Sequence, residues 1–433
     1  MATQAERQVA HIWKRLGFGP TGTDIDNGVA VGPQALIADL LGRPLTTAGE
    51  WNFTTGTDWI GQGKFMGQQL RLMGVAANPA QERLAWILQG LVVVGIDGTV
   101  YFPDLRDHIL RLRANPFGSY KQLLTDVTTM TGMMKYLSGY QNSKYHPNQN
   151  YARELMELFS LGPTHPKTGA VNYTETDVAE VARALTGYAL NWTTGTIGFN
   201  ASLFDSGAKT FLGQARGNAG IPQVIDALTT HASWGYHVPR RMFRELVGLE
   251  PDAPTLDALA AAYGPTGDMK ALVTAIVNLP AFLSDAAIGA KAKTPVELVV
   301  GGAKVLGFDL STVDLSWQLR DLFGQHPFLP PNVSGWPAGQ RWLNTAVAMT
   351  WCALVQQFLS ATRSLAGGAV QKLFTSTSPA GAPTAAARMC GIVELSPATA
   401  SSLAAFVAGG SWTVDRAAGT LGLALLSPEF SVN

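Results

Sequence analysis

The sequence predicts a mainly α-helical fold: a large multi-helix globular domain with a small β-hairpin or loop excursion. Apolar residues recur every three or four positions through most of the chain, the spacing of helices that bury one face. Strand-like alternation is scarce, and only residues 196–213 mix glycine, asparagine and aromatic residues as a hairpin or irregular loop does. The chain has 433 residues, of which 46% are hydrophobic and 14% charged, so it can bury a large core and is not disordered.

The helical pattern runs from one end of the chain to the other. In residues 5–16, Val9, Ile12 and Leu16 fall on one helix face, and Gly17 ends the helix. The other predicted helices are 79–94, 103–112, 120–129, 150–161, 175–188, 221–230, 239–249, 268–279, 295–306, 341–359, 398–407 and 414–425. Residues 51–67, rich in glycine, threonine and aromatic residues, are predicted to form an ordered loop instead.

Three domain segments are predicted. Residues 1–365 form the main helical domain, and residues 366–387, rich in small residues and proline, read as a linker-like segment. Residues 388–433 form a C-terminal helical cap packed on the main body, because fewer than fifty residues would be marginally stable alone.

Charge and composition exclude several classes of protein. Basic and acidic residues both number 31, so the chain lacks the positive surface that nucleic-acid binding requires. No run approaches the 18 apolar residues of a membrane span. The first twenty residues do not resemble a signal peptide, so we expect a soluble cytoplasmic protein, with export of a longer precursor left open. Two cysteines, Cys352 and Cys390, are too few for a disulfide scaffold.

Polar residues are densest on the predicted helix 150–161. Glu154 and Glu157 are three residues apart, so both carboxylates lean toward one side of the helix, with Arg153 and Tyr151 in the same turns. The helix is followed by Gly162 and a proline, a combination that stops helices.

A second polar helix is predicted to begin after Thr174. Thr174 is a good N-cap, and Asp177 stands where a capping-box carboxylate reaches back to the cap. Glu180 and Arg183, again three residues apart, lie in the helix interior.

Two interpretations of these helices remain open. In the functional one, the helices line a cleft for a small organic substrate. Its catalytic acid–base or hydroxyl groups would be Glu154, Glu157, Asp177, Glu180, Tyr151 and Tyr173. Its substrate-binding groups, suited to an anionic substrate, would be Arg153, Arg183, Asp205 and Lys209. In the structural one, the arginines pair with the carboxylates in a buried network that locks the helices together.

Local spacing identifies no cofactor and no metal ligand set. The acidic residues could hold a hard metal ion, but the chain has no His-x-x-x-His or Glu-x-x-His, and it lacks the P-loop and the Gly-x-Ser-x-Gly motif of serine hydrolases. A proline-rich, tryptophan-containing segment, 324–342, could be either the wall of a pocket or a stiff connection.

Six motifs stand out along the chain: RLGFGP (15–20), NQNYARELMELFSLG (148–162), YTETDVAEVARALTG (173–187), KTFLG (209–213), PPNVSGWP (330–337) and LSPEF (426–430). Together they resemble one bacterial family, known as domain of unknown function 1800. The resemblance spans nearly the whole chain in order. It implies a mainly helical bacterial protein without an agreed activity, often encoded beside a second uncharacterised protein that resembles phosphatases or sulfatases.

The chain departs from this family's pattern at two places. Members usually carry a His-Asn-His-Phe-like stretch after a tryptophan, where this chain reads WILQGL from Trp86, and a His-Asp pair where it reads Phe204-Asp205. If those histidines bind metal or move protons in relatives, this chain has lost them. The rival prediction to an enzyme is therefore a non-catalytic binding or assembly subunit that works with a partner protein, for which exposed tryptophans would be evidence.

Overall fold

A computed structural model describes residues 2–46 and 59–433 of the chain. In these residues helices dominate, and the named strands form two small two-stranded sheets, so the predicted mainly α-helical fold with a small β excursion is confirmed. Part of the loop predicted at 51–67, residues 51–58, lies outside the described residues. From Trp59 onward the chain is helical, so the loop prediction is wrong for the remainder.

The first ten helices, in chain order, are α1 Gln4–Arg15, α2 Gly22–Val31, α3 Pro33–Gly42, α4 Trp59–Val75, α5 Pro79–Leu91, α6 Phe102–Ala114, α7 Tyr120–Thr129, α8 Thr131–Tyr136, α9 Asn150–Glu157 and α10 Glu175–Ala184. The later helices are α11 Ile221–Thr229, α12 His237–Val247, α13 Ala253–Tyr263, α14 Met269–Asn278, α15 Pro295–Leu306, α16 Thr345–Thr362, α17 Ala369–Ser376, α18 Ala382–Met389, α19 Pro397–Ala408 and α20 Val414–Leu425.

Four short strands interrupt the helices between α10 and α11. They are β1 Tyr188–Asn191, β2 Thr196–Phe199, β3 Lys209–Phe211 and β4 Gln214–Gly217. β1 pairs antiparallel with β2, and β3 pairs antiparallel with β4 with an irregularity after Lys209. The excursion predicted at 196–213 is thus two consecutive hairpins.

Capping boxes define the starts of several helices. In each, a threonine side chain accepts from the backbone N–H three residues on, and the acidic side chain there accepts from the threonine N–H. The pairs are Thr3–Glu6, Thr21–Asp24, Thr174–Asp177 and Thr294–Glu297.

The chain divides into two compact units. The terminal unit comprises Met1–Arg83, Pro280–Pro327 and Pro337–Asn433, and the central unit comprises Leu84–Leu279 and Phe328–Trp336. The domain boundaries predicted at residues 365 and 387 stay a prediction. Helices α17 and α18 cover much of the segment between them.

In the terminal unit, α1 packs against α2 and α3, and α15 packs against α4 and α16. Helix α20 contacts α16, α17, α18 and α19. The Trp351 indole N–H donates to the Leu425 carbonyl oxygen over 2.9 Å, which joins α16 to the end of α20. The unit is therefore assembled from segments that are far apart in sequence.

A buried ion pair lies in the core of the terminal unit. The side chains of Arg83 and Glu297 are only 2% and 4% exposed, and the guanidinium bonds to the carboxylate. The other carboxylate oxygen of Glu297 accepts from the Thr294 N–H over 2.7 Å, closing the capping box of α15. The guanidinium also lies over the Phe18 ring, 5.2 Å from its centre. One carboxylate thus both starts a helix and neutralises a buried cation.

In the central unit, α9 packs beside α10, while α7 contacts α8 and α11. Helix α14 contacts α12 and α13, and β3 lies along α10. The apolar faces of α9 and α10, including Leu155, Met156, Val178 and Val181, are fully buried. This burial turns the polar faces of the two helices away from the core, as the 3.6-residue period requires.

Part of the proline-rich segment, residues 328–336, packs within the central unit. The Ile96 N–H donates to the Phe328 carbonyl over 2.9 Å, and the Trp336 ring stacks on Trp86 with centroids 5.3 Å apart. Gly335 has a φ of +83°, and a Cβ there would be 2.9 Å from the Gly90 carbonyl oxygen. Only glycine fits so close to this backbone.

Candidate functional site

Helices α9 and α10 are joined by polar side chains on their adjacent faces. The Arg153 guanidinium makes two hydrogen bonds of 2.7 Å to the Glu175 carboxylate. The Tyr173 hydroxyl donates to Glu157 over 2.8 Å. Residues from both predicted polar helices therefore lie in one place.

Glu154 is half-buried beside this junction. Among residues 2–46 and 59–433, no hydrogen bond or ion pair joins its carboxylate to another side chain. Burial, and then the nearby charge of Glu157, raise the pKa of Glu154 above its ordinary value. A carboxyl group in this setting keeps its proton to a higher pH than an exposed glutamate does.

Tyr173 keeps its proton throughout the ordinary pH range. Burial raises the pKa of Tyr173, and its hydrogen bond to Glu157 raises it further. The hydroxyl therefore remains a hydrogen-bond donor; it donates to Glu157 and lies near Glu154. We call Glu154, Glu157 and Tyr173 the acid cluster.

Arg153 lies beside the acid cluster, and both terminal nitrogens of its guanidinium donate to the Glu175 carboxylate. Its side chain is about one-third exposed, and that of Glu175 is mostly exposed. The hydrogen bond from Arg153 is the main cause of the lowered pKa of Glu175. Since exposed ion pairs contribute little net energy, another anion can replace Glu175 at small cost.

Arg183 lies in a second group of charges and is partly exposed. Its Nε donates to Asp205 over 2.8 Å, and its Nη1 donates to Glu180 over 2.7 Å. The hydrogen bond from Arg183 is the largest cause of the lowered pKa of Asp205. Lys209 donates to the carbonyl oxygens of Asp205 and Gly207. Each of these charged groups already has partners within the protein.

Asp177 and Glu180 attach the second hairpin to α10. One oxygen of Asp177 accepts from Thr174 in the capping box, and the other accepts from the Leu212 N–H over 2.7 Å. Glu180 accepts from the Thr210 N–H over 3.0 Å. Burial tends to raise the pKa of Asp177, but these hydrogen bonds hold it below its ordinary value. Both carboxylates therefore bind backbone amides.

Tyr151 is buried in the central unit. Its hydroxyl shares a hydrogen bond of 2.7 Å with the Thr128 hydroxyl, and burial raises its pKa. Of the ten residues predicted from the sequence, the structure thus brings Glu154, Glu157 and Tyr173 together with Arg153 at their edge. It places Asp177, Glu180, Arg183, Asp205 and Lys209 in a neighbouring bonded network, and Tyr151 in the core.

A comparison with family models bears on the whole chain. The model described as protein of unknown function (DUF1800) matches residues 11–432. The chain belongs to this family. No curated protein and no solved structure matches the chain. The DUF1800 description assigns no activity, so any statement about function depends on the geometry of the site.

At the two places where the family resemblance led us to expect histidines, this DUF1800 chain has other side chains. After Trp86, which itself stacks on Trp336, the chain continues with the buried Ile87 and Leu88. The Phe204 ring packs against Phe199, with centroids 5.6 Å apart, and the Lys209 ammonium lies 5.0 Å from its centre. An aromatic ring thus precedes Asp205 where the resemblance led us to expect a histidine.

The described part of this DUF1800 chain contains no group of three or more His, Cys, Asp and Glu side chains arranged to hold a metal ion. In the same residues, no helix is both long enough and apolar enough to cross a membrane.

Asparagines that sequence reasoning missed hold this region together. The Asn172 amide donates to the Leu161 and Gly162 carbonyls, both over 2.9 Å, and accepts from the Ser233 hydroxyl over 2.6 Å. The Asn142 amide donates to the Ala182 carbonyl on α10 over 2.8 Å. The partners of the Asn172 side chain are at least ten residues away in sequence, and Ala182 is forty residues from Asn142, so no local pattern marks these contacts.

Proposed function

We propose that the chain is a general acid–base enzyme acting on a small organic substrate at the acid cluster. The observation that carries the proposal is Glu154, a half-buried carboxyl without a bonded partner in the described residues, next to a second carboxylate. A raised pKa close to a paired carboxylate is typical of catalytic acids and bases. Buried acids with purely structural roles, such as Asp177, are fully hydrogen-bonded here.

Each member of the cluster has a different role in this proposal. Glu154 donates a proton to the substrate, because its carboxyl is the one that favours the protonated form. Glu157 accepts a proton, and Tyr173, which already donates to Glu157, orients that carboxylate. Arg153 binds an anionic group of the substrate in exchange for Glu175, since its planar fork suits carboxylates.

The neighbouring network has a positioning role in the same proposal. Arg183 and Lys209 both donate to Asp205, and Asp177 and Glu180 accept from backbone amides of the second hairpin. The network fixes the hairpin on α10, the helix that faces the cluster. The second hairpin thereby supports the face on which the substrate would react.

The test compares Glu154→Gln with Glu175→Gln, which removes an exposed glutamate from the other helix. Both proteins and the wild type are assayed against p-nitrophenyl esters, glycosides and phosphates across pH 4 to 9. We expect one class to be turned over, Glu154→Gln to be slower by about a hundredfold or more, and Glu175→Gln to change the rate by only a few-fold. Equal rates for Glu154→Gln and wild type, with circular dichroism showing both folded, would refute the proposal.

A second candidate function, a binding or assembly subunit, is favoured by an exposed aromatic surface on the first hairpin. Trp192 is 78% exposed and meets Tyr140 edge-on, with centroids 5.9 Å apart. Phe199 is also exposed and packs against Tyr188. Aromatic residues exposed together mark many protein–protein contacts. Sedimentation of the wild type and of Trp192→Ser with the purified product of the neighbouring gene tests this: equal mobility with and without that product excludes it.

A further inference from the structure

A cavity of about 180 Å³ lies in the terminal unit, far along the chain from the acid cluster. One face of α1 forms part of its wall, with Arg7, His11 and Lys14 in successive turns. Gly391 and Glu429 contribute to the rest of the lining. A cavity of this size holds a ligand of about six non-hydrogen atoms, since a liquid water occupies about 30 Å³.

Lys14 is the lysine among the residues that line this cavity. Its Nζ donates to the Val432 carbonyl oxygen over 2.9 Å, which holds the amine at the cavity wall. Burial, and then the positive charge of Arg15, lower the pKa of Lys14 to about 8. An amine desolvated next to another cation is the arrangement that activates lysine toward carbonyl carbons.

His11 stands one turn before Lys14 on the same helix face. It is 1% exposed, and neither ring nitrogen makes a well-formed hydrogen bond within residues 2–46 and 59–433. Its ring packs on Phe282 with centroids 5.1 Å apart. Burial is the largest cause that lowers the pKa of His11, so the imidazole is neutral, with one ring nitrogen a donor and the other an acceptor.

Arg7 supplies an anion-binding fork at the outer end of the same face. Its only ion pair in the described residues is with Asp285, over 2.9 Å, and the Asp285 side chain is mostly exposed. Such a pair is weak, so a carboxylate can bind the guanidinium in its place. Of the two acidic side chains of the lining, Glu429 is occupied by hydrogen bonds from the Ser396 N–H and the Thr399 hydroxyl, and Glu394 is exposed.

We propose that this cavity binds a small 2-oxo acid, with its carboxylate on Arg7 and its carbonyl carbon bonded to Nζ of Lys14 as an imine. The neutral amine adds its lone pair to the carbonyl carbon, and the C=O π electrons move to the oxygen, which takes one proton from the nitrogen. The second nitrogen proton passes to the accepting nitrogen of His11 while the other ring nitrogen releases one to the hydroxyl, so the ring stays neutral. The hydroxyl leaves as water and the nitrogen lone pair forms the C=N bond. The sum is amine plus ketone giving imine plus water, and no oxidant or reductant is needed.

The test uses pyruvate, which has six non-hydrogen atoms, with cyanoborohydride to trap any imine on the intact protein. Peptide mapping by mass spectrometry then compares Lys14 with the exposed Lys64. At neutral pH the neutral fraction of Lys14 exceeds that of an ordinary lysine by on the order of a hundredfold, so we expect Lys14 to be labelled at least about tenfold faster. Labelling of Lys14 no faster than Lys64 would overturn the proposal.

Two variants sharpen the result. Lys14→Arg should abolish the fast labelling, whereas Lys304→Arg, a change to another partly buried lysine of this unit, should leave it unchanged. If Lys14→Arg does not fold, the wild-type map alone decides. Arg7→Gln should slow trapping of pyruvate about tenfold and leave trapping of uncharged hydroxyacetone unaltered. An equal effect on both probes would exclude Arg7 as the carboxylate-binding group, and with it the 2-oxo acid.

Discussion

Replacing Glu297 by glutamine removes one charge from the buried pair while keeping the size of the side chain. Its carboxyl has a pKa lowered to about 2: burial acts to raise it, but Arg83 and other partners lower it by more. A shift from 4.5 to about 2 corresponds to about 3 kcal/mol of stability. Losing one member of a buried pair costs about 3–5 kcal/mol in other proteins, which agrees in size.

The stability difference between wild type and Glu297→Gln should depend on pH, in a direction set by the lowered pKa of Glu297. Because the folded pKa is depressed, the stabilisation is complete above about pH 4.5 and is lost as the pH falls toward 2. The gap between wild type and Glu297→Gln should therefore be about 2 kcal/mol smaller at pH 3 than at pH 7. Urea unfolding followed by tryptophan fluorescence measures the free energy of unfolding at both values.

Glu6→Gln is the matched control. Glu6 occupies the same capping-box position in α1 and pairs with Arg388, but both side chains are about one-quarter exposed. We expect its loss to cost no more than about 1 kcal/mol. If Glu297→Gln were no more destabilising than Glu6→Gln, or its effect did not change with pH, the reasoning about the buried pair would be wrong.

Three further outcomes are expected. Asn172→Ala should lower the free energy of unfolding by about 2 kcal/mol in urea titrations, since two buried carbonyls lose their donor. Burial lowers the pKa of His108 to about 4, so the unfolded chain takes up a proton there before the folded protein does, and stability falls as the pH drops from about 6.5 toward 4. The melting temperature of His108→Gln should therefore depend less on pH over that interval than the melting temperature of the wild type. Burial also raises the pKa of Cys390 to about 12, so in the native protein at pH 8 a thiol reagent such as DTNB should label the partly exposed Cys352 first.

Features set by neighbours in sequence could be predicted well. Thr174 and Asp177 form the capping box that their spacing indicates, because both partners lie within one turn. The stop after α9 is also present: Gly162 has a φ of +76°, and a Cβ there would be 2.6 Å from the ring of His237. Local patterns contain all the information such features need.

Features that depend on distant partners could not be predicted. Helix α9 ends at Glu157, four residues earlier than its apolar pattern suggests. The Ser160 hydroxyl binds the Leu155 carbonyl, and a ring nitrogen of His237 binds the Leu158 carbonyl, in place of helical amides. In the candidate site, the sequence identified the carboxylates but not which of them would accept hydrogen bonds from other parts of the protein. That distinction depends on Thr210 and Leu212, which reach Glu180 and Asp177 only when the hairpin folds back.

The discontinuous terminal unit constrains the order of events during synthesis. Lys14 contacts a carbonyl 418 residues further along, so α1 can pack against α2 and α3 early, whereas this partner is synthesised only at the end. Most of the central unit, Leu84–Leu279, is complete in the meantime and can collapse by itself. The contact between α1 and the C-terminal segment must therefore wait while the central unit forms, which places it among the last contacts that the chain can make.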